Sequence, residues 1–111
     1  MTRPWETIAS EPTREGALEL RRRGEDHLIT VGGRVLMTSA AHRSEEALAH
    51  LGCAGLRARA GARVLVGGLG MGFTLRAALD ELAPDAQVLV AELNAVVAGW
   101  CHGPLAALTN G

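Results

Sequence analysis

Apolar and polar positions change rhythm twice along the chain. Across residues 17–39 they alternate with period two: Leu18 and Leu20, then Leu28 and Thr30, are set between polar or charged neighbours, the spacing of strands that turn one face inward. Gly24-Glu25-Asp26 supplies one turn. Val31-Gly32-Gly33-Arg34 supplies a second, the two-glycine signal of a tight hairpin, before Val35-Leu36-Met37 returns. The pattern predicts an antiparallel β-meander of about three strands. Ahead of it, residues 1–16 mix Pro4, Pro12 and charges around Thr7-Ile8-Ala9. That predicts a short strand within an irregular arm, with Trp5 as a packing anchor.

Beyond residue 40 the rhythm lengthens. Residues 42–51 read as a helix, with Ser39 or Ser44 as N-cap and Gly52 as the stop. Residues 53–62 read as a loop with one helical turn. Val64-Leu65-Val66 then enters a cluster formed by Gly67, Gly68, Gly70 and Gly72, helix formers follow over 74–82, and a second apolar run over 87–91 ends in Glu92. That order is strand, tight turn, helix, strand. A further helix carries Val96, Val97 and Trp100 on its apolar side, Pro104 ends it, and residues 105–111 begin another. The fold class expected is α/β: an N-terminal antiparallel hairpin or meander region over 1–40, then the first βαβ unit of a Rossmann-like nucleoside-binding domain over 41–111, incomplete at Gly111.

The glycine turn is the centre of the chemistry. Glycine lets the backbone bend out of a strand, adopt positive φ and approach a ligand with no Cβ between, and the following helix aims free N–H groups at the same place. Glu92 stands 24 positions after Gly68. In a βαβ unit an acidic residue about 20 positions on lies beside the first turn, where its acceptor oxygens hold ribose hydroxyls. Gly68, Gly70, Gly72 and Glu92 therefore predict an adenosine-containing ligand. The dinucleotide pattern fails at Phe73, where a third small residue belongs, and the P-loop pattern fails because the chain has no lysine.

Several other groupings are read as structural. His42, Glu46 and His50 line one helix face at i, i+4 and i+8, too stretched for a single metal ion. Cys101 and His102 point about 100° apart on a helix and cannot form a nucleophile–base pair. Arg21-Arg22-Arg23 is a solvated strand end, since no aromatic residues interleave and the net charge is −1. That balance gives no reason to expect nucleic acid or an anionic membrane as partner. Cys53 and Cys101 read as free thiols of a reducing cytoplasm, and the start of the chain is too polar for a signal peptide. Arginine as the sole basic side chain besides histidine, with abundant Ala and Gly, reads as the coding bias of a GC-rich genome.

Gly68-Leu69-Gly70-Met71-Gly72 resembles the glycine motif of class I S-adenosylmethionine-dependent transferases. The doublet Gly67-Gly68 together with Ala91-Glu92-Leu93-Asn94 is similar to the spermidine synthase-like branch, and Glu46-Ala47-Leu48-Ala49-His50-Leu51 resembles the helix segment that precedes the fold there. The resemblance implies a transferase that binds S-adenosylmethionine, its decarboxylated form or methylthioadenosine as co-substrate, without a metal, and moves an aminopropyl group to an amine. It places Glu46 and His50 at the substrate cleft and implies a homodimer or larger homo-oligomer. Met71 stands where aminopropyltransferases carry Asp, Ser44-Glu45 where they carry Tyr-His, and Val66 where methyltransferases begin the motif with an acidic residue. Those departures keep methyl transfer to another acceptor as an alternative. The family's catalytic aspartate comes from a later strand, so the expectation is an N-terminal portion with no catalytic base of its own, or a non-catalytic chain that acts by self-association.

Overall fold

A computed structural model of the chain describes residues 3–111 as mixed α/β; positions 1–2 of the expected arm lie outside the described residues. Two compact units divide at residues 41 and 42.

The first unit is a four-stranded antiparallel sheet in the order β1 (Glu6–Thr13), β2 (Gly16–Arg23), β3 (Asp26–Val31), β4 (Arg34–Thr38). The expected short strand in an irregular arm is corrected: β1 is eight residues long and pairs with β2 from Glu6 opposite Arg22 to Thr13 opposite Gly16. Its side chains are mostly exposed, so it shows no alternation, and its pairing depends on backbone groups that hydropathy does not report. Pro12 is tolerated because β1 is an edge strand. Trp5 is half-buried, and its ring carries the Arg23 guanidinium 4.4 Å from its centroid. Leu18, Leu20, Ile29 and Val31 are buried, and the strand register places Leu18 opposite Val31 and Leu20 opposite Ile29.

Turn chemistry closes this sheet. Gly32 and Gly33 both have positive φ (55° and 81°) between the paired Val31 and Arg34, as a two-residue hairpin turn with matching twist requires. Gly32 also donates its N–H to the Ala17 carbonyl at 3.1 Å. A Cβ on Gly32 would stand 2.9 Å from the Glu15 carbonyl oxygen, and one on Gly16 would stand 2.8 Å from the Gly32 Cα.

The second unit runs α1 (Arg43–Cys53), β5 (Arg63–Gly67), α2 (Phe73–Glu81), β6 (Gln87–Ala91), α3 (Ala95–His102) and a final 3₁₀ turn, Ala106–Thr109. β5 and β6 pair in parallel, with Leu65 opposite Leu89, and α2 connects them. Ala49 and Cys53 of α1, Ala77 and Ala78 of α2, and Ala62 and Leu82 form the core, with Val64 and Val88 of the strands packed against it. The small side chains let the two helices approach closely. The far face of the strands keeps Leu65 and Leu89 exposed.

The helix ends correct the expected ones. His42, not Ser39 or Ser44, takes the N-cap position of α1, without a side-chain cap bond. Ser39 instead accepts from the His27 N–H at 2.9 Å, and the Ser44 hydroxyl donates to Glu45. Gly52 does not stop the helix, which continues one residue to bury Cys53 in the core. α1 is tied to α2 by Glu81, whose carboxylate meets His50 Nδ1 and, at 2.5 Å, Arg57 Nε. The Arg57 hydrogen bond leads in holding the Glu81 carboxyl below the usual carboxylate range. Cys53 and Cys101 are free thiols. No helix of the described residues is long and apolar enough to cross a membrane.

Gly32→Ala is expected to lose about 1–3 kcal/mol in denaturant unfolding, from forced positive φ and the Glu15 clash. Because folding lowers the Glu81 value below 4.5, its contribution is complete above pH 4.5 and disappears as the pH falls through the folded value. Urea midpoints across acid pH are expected to fall less steeply for Glu81→Gln than for the unaltered chain.

Candidate functional site

The glycine turn leaves β5 at Gly67 and reaches α2 at Phe73. Gly68, Gly70 and Gly72 all adopt positive φ, at 86°, 54° and 88°, conformations that L side chains rarely hold. Gly72 is the α2 N-cap and has no side chain to close the helix end, so first-turn N–H groups are left for other partners. The loop is internally braced, since the Gly72 N–H donates to the Leu69 carbonyl at 2.9 Å. Its entry is held to the second strand by the Gly68 N–H, which donates to the Ala91 carbonyl at 2.7 Å. No atom lies within 4 Å of the place a Gly68 Cβ would occupy, so this backbone faces open space.

Glu92 follows β6 and reaches back to the loop. One carboxylate oxygen accepts the Leu69 N–H at 2.9 Å, and the other accepts the Asn94 N–H at 2.8 Å. The glycines and the carboxylate separated by 24 positions thus form one continuous surface at the carboxyl ends of β5 and β6. A carboxylate offers about four lone-pair sites, and these two bonds use two of them.

A thiol props the loop at a third point. Cys101 of α3 donates Sγ–H to the Gly70 carbonyl at 3.4 Å. Burial, with the nearby Glu92 charge second, pushes the thiol up from its ordinary value and keeps it a donor. Thr109 and Cys101 also lie 3.6 and 3.8 Å from the place a Gly72 Cβ would occupy, so φ and not space demands glycine there. Nothing local in the sequence marks this contact, because 31 positions separate its partners.

Glu46 and His50 lie elsewhere, in a cleft of about 310 Å³ between α1, α2 and the 3₁₀ turn. His42, Phe73, Arg76, Asp80 and Asn110 also line it. Glu46 takes His42 Nδ1, whereas His50 is engaged by Glu81. Phe73, whose bulk argued against a dinucleotide turn, is buried, and its ring stacks on His42 with centroids 4.5 Å apart and planes at 23°. Since Phe73 directly follows Gly72, the loop surface and the cleft meet at the first turn of α2. His42 and Phe73 are partners that residue spacing alone did not identify.

No protein-family model and no curated protein sequence matches the chain.

Proposed function

We propose that the unit over 42–111 is a Rossmann-like nucleoside-binding element of a spermidine synthase-like transferase. Its ligand is S-adenosylmethionine, the decarboxylated form or methylthioadenosine. Gly68, Gly70 and Gly72 present backbone to the ligand, and Glu92 holds the ribose through its remaining lone pairs. The observation that carries this reading is the Glu92 clamp, because a carboxylate bonded to the glycine loop sits where a sugar lying against that loop must pass. The ligand supplies an electrophilic carbon beside a sulfonium. The chain's part is to position it and to order the amine that attacks, with the cleft of Glu46 and His50 as the amine's place.

Methyl transfer is the second reading, and Met71 favours it. This side chain is 1% exposed, so the loop position that carries Asp in aminopropyltransferases offers no carboxylate to repel the ligand's own. Self-association is supported by a different feature. Leu65 and Leu89 are 65% and 70% exposed on one face of a parallel strand pair, and parallel sheets ordinarily have both faces covered.

Calorimetry with methylthioadenosine is expected to show binding that Glu92→Gln weakens several-fold, and equal affinity for the two chains removes the ribose assignment. The same titration with S-adenosylmethionine and its decarboxylated analogue ranks the two transfer readings by which form binds tighter. Light scattering is expected to report a dimer or larger species that Leu89→Glu dissociates, and a monomer before substitution ends the self-association reading.

A further inference from the structure

We propose that His42 is the proton acceptor of the cleft, with Glu46 as its positioning residue. This rests on the reading above only in taking an amine as the cleft's ligand. A neutral imidazole has one donor and one acceptor nitrogen, and the partner of one nitrogen decides the state of the other. The Glu46 carboxylate only accepts, so its contact with Nδ1 places the proton there and leaves the lone pair on Nε2. The ring is held by stacking on Phe73, itself 9% exposed and fixed at the end of the glycine loop. His42 therefore has both its tautomer and its ring plane set by neighbours, and it borders the cleft.

The other titratable groups of the cleft are held differently. On α1, His50 has the same Nδ1 contact to a carboxylate, but its partner, Glu81, is shared with Arg57, and the ring stacking that fixes the imidazole plane is on His42. On α2, Arg76 donates to Asp80, with Nη2 at 2.5 Å and Nε at 3.0 Å. The 3₁₀ turn and its cap contribute Leu108, Thr109 and Asn110, none of them charged.

The step is a proton transfer. An ammonium N–H bond breaks, its electron pair stays on the amine nitrogen, and the proton joins His42 Nε2. The reacting ammonium group changes from +1 to neutral, while the His42–Glu46 pair changes from −1 to neutral. The amine is left with the pair it needs to act as a nucleophile, and the Glu46 carboxylate faces the imidazolium that forms.

Nitrogen-detected spectra of the ¹⁵N-labelled full chain at pH about 8.5, two units above the ordinary imidazole value, read the tautomer directly. His42 is expected to carry its proton on Nδ1, and 1,3-diaminopropane is expected to shift its Nε2 signal. Glu46→Gln, its fold checked from the backbone spectrum, is expected to move the proton to Nε2 and abolish the amine response. An Nε2–H tautomer in the unaltered chain, or an Nε2 signal that the diamine leaves in place, overturns the proposal even if the variant does not fold. Methylthioadenosine is absent from this experiment. An amine response in a chain that fails to bind the nucleoside therefore keeps the proton acceptor and removes the nucleoside site, and the reverse result removes only the proton acceptor.

Discussion

The site depends on one carboxylate that bonds to two segments at once. Glu92 joins the backbone N–H of Leu69, inside the glycine loop, to that of Asn94, at the start of α3. A loop with three glycines at positive φ gives up more conformational entropy on ordering than a glycine-free loop of the same length. Hydrogen bonds to a charged acceptor contribute about 1.5–3 kcal/mol each, roughly twice a neutral one. The Gly68 bond to Ala91 and the Cys101 bond to Gly70 add a second and a third anchor. Two stretches far apart in sequence, the loop and the run from the end of β6 through α3, thereby hold one surface in shape.

Beneath that surface the packing is economical. The shared core of α1 and α2 is built largely from alanine, with Ala49, Ala77 and Ala78 at 4%, 8% and 1% exposure. Such a core brings backbones close but buries little apolar area per residue. The Glu81 carboxylate, meeting both His50 and Arg57, supplies directional contact where the alanines supply none. On the strands the balance is uneven, because Val64, Val66 and Val88 face the helices while Leu65 and Leu89 do not. Each strand is thus apolar on both faces and covered on one.

What could be read from the sequence was local in origin. The Gly32-Gly33 hairpin, the glycine turn and the strand over 87–91 announce themselves through neighbouring residues, and their positions agree with the structure. β1 did not, because an exposed edge strand has no buried face to create alternation. The start of α1 agrees to within one residue, but its N-cap is His42 and not a serine, because capping chemistry is expected where the structure has none. Glu92 was found by spacing alone, but its backbone partners were not foreseen. Phe73 shows how one residue supports two inferences: its bulk spoke against close helix-to-strand packing, and its ring is in fact turned to His42.

The two helix starts beside Glu92 add an electrostatic bias. α2 begins at Gly72 and α3 at Asn94, and neither N-cap closes its helix with a side-chain bond. Their free N–H groups and the positive ends of both dipoles are therefore directed toward the loop region, where anions and carboxylates are stabilised. Glu92 answers part of that demand through Asn94. A ligand that brings its own carboxylate answers more of it, and Met71 puts no opposing charge on the loop. Within the proposed function, this weighs toward S-adenosylmethionine over its decarboxylated form and so toward methyl transfer. The amine reading depends instead on the cleft at His42, and the two sites pull the choice of chemistry in opposite directions.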